Sequence, residues 1–153
     1  ETCTRAAAGG HLEVLQWATA RGCPWDPSLS RHGHLHILEW LRGSHLVWNN
    51  DTICRSAAIG GCVDALQWAR AAGCDWDSST CSEAAAAGNF EVLKWARCNG
   101  CPWDEDTCTM AAERGHLDIL QWTRAQGCPW DGNTCRAAAK KGHEEVLKWV
   151  RCN

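Results

Sequence analysis

The chain has 153 residues, 45% of them hydrophobic and 22% charged, with a formal net charge of −3. That balance excludes a disordered tail and a basic nucleic-acid arm, and no apolar run approaches the eighteen or more residues a membrane-spanning helix needs. Eleven Trp and twelve Cys, set against no Tyr, one Phe and one Met, mean that something holds Trp and Cys to particular positions.

Self-comparison supplies the reason. Gly-Cys-Pro-Trp-Asp occurs at 22–26, 100–104 and 127–131, with Gly-Cys-Asp-Trp-Asp at 73–77. From Cys54 onward a second series steps by 27 residues through Cys81, Cys108 and Cys135. Trp17, Trp40, Trp68, Trp95, Trp122 and Trp149 form a third series, and the first five stand eight residues before Trp25, Trp48, Trp76, Trp103 and Trp130. Six units follow in chain order: 1–26, 27–50, 51–77, 78–104, 105–131 and 132–153. A fixed period of this length is the mark of a tandem array.

Within the fifth unit the local signals agree. Thr107 reads as the N-cap of a first helix of about eight residues, with Asp104 holding the turn before it. Thr80 and Glu83 match a reciprocal capping pattern in the fourth unit. Ala111 and Ala112 leave the first helix nearly bare, so a neighbouring helix can approach closely. Gly115 ends it. A second helix then carries Leu117, Ile119, Leu120, Trp122 and Thr123 on one broad apolar face, until Gly127 and Pro129 stop it. Helices this short are unstable alone and must stack on the next pair, which predicts a solenoid.

At this level the sequence resembles the ankyrin-repeat family. Ala137-Ala138-Ala139 followed by Gly142-His143 and Glu144-Glu145-Val146-Leu147 is similar to that family's alanine pair, Gly-His and amphipathic second helix. Gly127-Cys128-Pro129-Trp130-Asp131 is similar to its Gly-Ala-Asp-Val-Asn turn. The resemblance spans the whole chain. It implies an all-α, ankyrin-like solenoid of six short helix–turn–helix repeats acting as a non-enzymatic protein–protein interaction scaffold. Repeats of about 33 residues are usual there. The 27-residue unit is shortened between Trp-Asp and the next Thr, so the β-hairpin fingers are expected to be shortened or absent. Short Trp- and Cys-rich arrays of this type resemble those of protists, algae and large DNA viruses.

The Trp excess follows from the missing hairpins: indoles cover the seam between repeats in their place. Trp76, Trp103 and Trp130 are expected to form one stack, and Trp68, Trp95 and Trp122 another. Equivalent cysteines in adjacent repeats lie at least about 8 Å apart, beyond bridging distance. The cysteines are therefore expected to be free thiols serving as small apolar fillers, which points to a reducing intracellular compartment.

Cys98-Asn99-Gly100-Cys101 lacks the second Cys pair of a zinc site, so neither a metal nor another cofactor is expected. The second unit is irregular: Pro27, Leu29 and Ser30 replace the Thr-Cys-Ala-Ala positions, and His45 stands where other units have Gly. His32, His34 and His36 cluster there, but across a helix junction successive side chains diverge by about 100°. No phosphate-binding loop, nucleophile elbow or zinc-protease motif is present, so no catalytic residue is expected. Arg70, Arg97, Arg124 and Arg151 recur at one outer position of the second helix, which reads as a solvated face.

In such arrays binding uses the positions that vary while the frame stays fixed. On the first helices these are Arg5, Arg55, Ser56, Glu83, Met110, Arg136, Lys140 and Lys141. Their mostly positive charge suits an acidic or mixed segment of another protein, and neither nucleic acid, membrane insertion nor a small-molecule substrate is expected. Two other readings compete: a structural subunit packed into a larger assembly, and a Cys/His metal module. Neither end resembles a polar capping repeat, so Leu147 and Trp149 lack a cover, and the chain is expected to be a segment of a longer array.

Overall fold

The structure is a computed structural model and describes residues 2–23, 31–44 and 50–153. Trp25, Trp48, Pro27, Leu29, Ser30 and His45 lie outside the described residues. Two compact units divide the chain, Glu1–Asp75 and Trp76–Asn153. The first contains α1 (Thr2–Ala8), α2 (Leu12–Ala20), α3 (Leu35–Gly43), α4 (Asn50–Gly60) and α5 (Val63–Ala71). The second contains α6 (Ser78–Ala87), α7 (Phe90–Cys98), α8 (Glu105–Arg114), α9 (Leu117–Ala125), α10 (Gly132–Lys141) and α11 (Glu144–Cys152). No strand occurs among the described residues, so the hairpin fingers are absent from them.

The first helices start three residues earlier than Thr107 and its equivalents suggest. Asp77, Asp104 and Asp131 are the N-caps, and each carboxylate accepts the amide of the residue two positions on: Ser79, Asp106 and Asn133. Thr80, Thr107 and Thr134 lie one turn inside, buried against neighbouring chain. Thr80 and Glu83 consequently form no capping pair. A carboxylate at the end of an extended loop outcompetes a hydroxyl already within the helix, because only the residue before the first turn faces the orphan amides.

The second helices α2, α5, α7 and α9 end in the same way, whereas α3 ends on Ser44, whose amide donates to the Trp40 and Leu41 carbonyls. The amide of Gly127 donates to the Arg124 carbonyl at 3.0 Å and that of Cys128 to the Thr123 carbonyl at 2.9 Å. Cys23, Cys74 and Cys101 make the equivalent bond to Ala18, Ala69 and Ala96. This paired closure satisfies two terminal carbonyls and delivers the loop cysteine back onto the last turn of its helix.

Packing follows from side-chain size. In the second unit α6, α8 and α10 lie side by side, and each pairs with the helix that follows it. Ala84, Ala85, Ala111 and Ala112 are fully buried where the first helices meet. Val92, Leu93 and Ala96 on α7, and Ile119, Leu120 and Thr123 on α9, form the apolar faces beneath them. In the first unit Leu15, Ile37 and Leu41 pack with Cys3, Ala6, Ala7 and Ala18. Each fully buried Leu or Ile contributes roughly 1.5–3 kcal/mol, so the stacked faces provide what the short helices lack.

The Gly-His pair joins consecutive repeats. Gly115 ends α8 at φ 80°, and a Cβ placed on it would lie 2.8 Å from Nδ1 of His143. His143 Nε2 in turn donates to the Glu113 carbonyl at 2.9 Å. The glycine thus serves twice: it turns the chain and leaves room for the next repeat's imidazole. Gly115→Ala is expected to lower the unfolding free energy by about 2–4 kcal/mol through backbone strain and overpacking. Gly132→Ala, where a Cβ would meet nothing within 4 Å, is expected to be neutral or to stabilise by up to about 1 kcal/mol. Urea denaturation of the two variants makes the comparison.

Candidate protein-binding surface

An open groove runs between the first helices α8 and α10, lined by Thr109, Glu113, Asn133, Arg136, Ala137 and Lys140. Residues one turn apart on a helix share a face, so Arg136 and Lys140 project together from α10. Both are exposed. The Arg136 guanidinium donates to the Asn133 side-chain oxygen at 3.0 Å, which orients it along the groove. Lys141 is drawn aside into an ion pair with Glu113 at 3.4 Å. Glu113 was not singled out from the sequence, because only the neighbouring helix reveals its partner.

The other expected binding residues divide. Arg5 and Arg55 are exposed on α1 and α4, while Glu83 on α6 and Met110 on α8 are half-buried. Ser56 is 5% exposed, so it belongs to the core. It shares the inward face of α4 with Ile53 and Ala57, and a small hydroxyl fits there as alanine does elsewhere.

The indoles pair differently from the two separate stacks expected. Trp76 meets Trp95 with ring centroids 5.9 Å apart, Trp103 meets Trp122 at 5.9 Å, and Trp130 meets Trp149 at 5.8 Å. These three loop indoles therefore each pack on the helix Trp of the following repeat. Helices pack 8–10 Å apart, too far for equivalent indoles to touch, whereas aromatic pairs favour centroids 4.5–7 Å apart. Phe90 joins the seam against Trp122 at 5.5 Å. Trp40 packs on the first-unit core, and Trp68 is half-buried. Trp17 departs from the series: it is 57% exposed, with the Arg21 guanidinium 4.0 Å above its ring.

Three of the four recurring arginines, Arg70, Arg97 and Arg124, are staples and not a solvated stripe, while Arg151 is exposed as expected. Arg97 lies 3.9 Å over the Trp103 ring and donates to the Cys101 carbonyl. Arg124 lies 4.3 Å over Trp130 and donates to the Cys128 carbonyl at 3.2 Å. Arg70 donates likewise to Cys74. In each case one guanidinium ties the loop back to the helix it leaves. The spacing of four residues to the Cys and six to the Trp was the sequence signal for this role.

The cysteines are not all free. Cys3 and Cys23 form a disulfide, with Cα atoms 6.8 Å apart, and ten free thiols remain. The distance argument concerned neighbouring repeats, and the bridge instead lies within one repeat. The Cys101 thiol donates to the Asp77 carbonyl at 3.4 Å and the Cys128 thiol to the Asp104 carbonyl at 3.3 Å, and Cys108 sulfur lies 3.4 Å from the Thr123 hydroxyl. The neighbouring Cys101, then burial, pushes the Cys81 thiol up. The neighbouring Cys128 pulls Cys108 down to about 7 against burial, aided by Thr123 and Arg124.

Of the histidine cluster, His34 and His36 have ring centroids 5.8 Å apart. Their Nε2 atoms donate to the Ala8 carbonyl at 3.1 Å and the Gly10 carbonyl at 3.0 Å. Those atoms hold the preceding repeat. Burial, then Arg31 and His34, keep His32 below the ordinary imidazole range. Among the described residues no three His, Cys, Asp or Glu side chains converge on a metal position, and no helix there is long and apolar enough to cross a membrane.

The fold is the ankyrin-repeat fold. It is similar to the human ASB11 ankyrin repeat domain, with a TM-score of 0.69 and 17% identity, over 99% of this chain and 82% of that one. No protein-family model and no curated protein matches the sequence. Arg97→Ala is expected to cost about 1–2 kcal/mol, from the ring contact and one hydrogen bond together. Arg97→Lys is expected to recover less than half of that, since a point charge does not reproduce the planar fork. Urea denaturation followed by Trp fluorescence reports both.

Proposed function

We propose that the chain is a non-enzymatic protein–protein interaction scaffold that binds an acidic segment of a partner along the groove between α8 and α10. The observation that carries this reading is the exposed pair Arg136 and Lys140, side by side over that groove. The groove is framed by helices that neighbours hold rigid, so its charges are presented without an ordering cost. Glu113, the acidic group of the groove, is occupied by Lys141, which leaves the field there positive. Thr109 and Asn133 add hydrogen-bonding groups for a partner backbone. Arg5 and Arg55 extend the same preference to the first unit, and Met110 offers a soft apolar contact.

The test is affinity capture with the chain as bait, followed by titration of the captured acidic segment. Arg136→Glu combined with Lys140→Glu is expected to weaken binding at least about tenfold through like-charge repulsion. Raising salt from about 50 to 200 mM is expected to weaken the unsubstituted chain in the same direction. Ser56→Ala is expected to leave affinity unchanged. Undiminished binding by the charge-reversed variant would place the interface elsewhere.

A further inference from the structure

Arg136 is held by a relay of hydrogen bonds that starts at the turn before α10. The Asp131 carboxylate accepts the Asn133 backbone amide at 2.8 Å and the Asn133 side-chain amide at 2.6 Å. With that amide fixed, the Asn133 side-chain oxygen accepts one guanidinium N–H of Arg136 at 3.0 Å. Asn133 is neutral and takes one of the five N–H donors of a guanidinium, so the charge and the other donors stay free for a ligand. Lys140 stands one turn further along α10 and lines the same groove, with its Cβ about 5–6 Å from that of Arg136. Among the described residues neither cation forms an ion pair, whereas Glu113, the acid of the groove, is held by Lys141 at 3.4 Å. Two positive charges therefore face one opening without an acidic partner.

We propose that this groove recognises a phosphorylated serine or threonine of the partner segment, with the phosphate seated between Arg136 and Lys140. The inference rests on the reading of the groove as the partner site and specifies which anion it takes. Charge makes the choice. A phosphate monoester carries about −1.5 to −2 at neutral pH, which matches two unpaired cations; a single carboxylate matches one. Shape agrees with charge. Three phosphoryl oxygens can accept two guanidinium N–H groups and the ammonium at once, and a carboxylate offers only two oxygens in a plane. Preorganisation adds to both. An exposed arginine ordinarily loses rotamer freedom when it binds, and the Asp131–Asn133 relay has already fixed this one.

The test uses the whole 153-residue chain and a library of short peptides with a fixed central phosphoserine and randomised flanks. Retained sequences are resynthesised with phosphoserine, O-sulfoserine, Glu or Ser at the centre and titrated by fluorescence anisotropy at one pH and one salt concentration. Sulfoserine keeps the tetrahedral shape with a single negative charge, so it separates shape from charge. The phosphoserine form is expected to bind at least about tenfold more tightly than the Glu form, with sulfoserine between them and Ser weakest. Arg136→Gln and Lys140→Gln are each expected to cut the preference for phosphoserine over Glu to about twofold or less. Asn133→Ala keeps both charges and breaks the relay, and is expected to weaken phosphoserine binding about threefold. Arg151→Gln makes the same charge change at an exposed position on α11 and is expected to leave every affinity unchanged.

Equal affinity for the phosphoserine and Glu forms, both lost when Arg136→Glu and Lys140→Glu are combined, would overturn the phosphate assignment and leave the acidic-segment reading standing. Binding that this charge reversal does not weaken would overturn both. A library from which no phosphoserine peptide is retained above its Ser control would overturn the phosphate assignment alone. Arg136 and Lys140 are both exposed, so their replacement leaves the packing intact; should Arg136→Gln nonetheless fail to fold, Lys140→Gln and the ranking of the four peptide forms on the unsubstituted chain decide.

Discussion

The second unit depends on contact between its successive first helices, α6, α8 and α10. Helices of seven to eleven residues do not persist in water, because the few hydrogen bonds they close do not offset nucleation. Alanine at the contact positions is what permits the neighbours to approach. A larger side chain there would push adjacent repeats apart, and the histidine and indole contacts across the seam would open together. The bare helix surface is thus the condition on which the decorated surfaces rest.

Much of the architecture was legible from the residues. The 27-residue period, the Gly turns and the apolar spacing of the second helix are local signals, and each marks a real element. The helix starts were misjudged because Asp104 and Thr107 are both good caps by chemistry. Choosing between them needs the path of the loop, which packing decides. Ser56 reads as a surface serine by composition, and only the orientation of α4 turns it inward.

Pairings between elements were the part least available from sequence. A repeat suggests that like meets like, and for the indoles that is false: Trp103 touches Trp122, not Trp76. The same bias hid the Cys3–Cys23 bridge, which lies within a repeat and not along the series. Arg97 illustrates a third case. Its recurrence was visible, but its role depends on a loop folding back over the guanidinium, a geometry that charge patterning does not encode.

The interleaved indoles also govern how such a chain can change length. Every loop Trp in the second unit presents the same ring, at nearly the same separation, to the helix Trp that follows. Removing residues 78–104 as a block would bring Trp76 to Trp122, a junction of the same chemistry as the one lost. Removing any other number of residues would leave a loop indole facing a position that carries none. The seam therefore behaves as an interchangeable coupling, and it tolerates insertion or excision only in whole multiples of its own period.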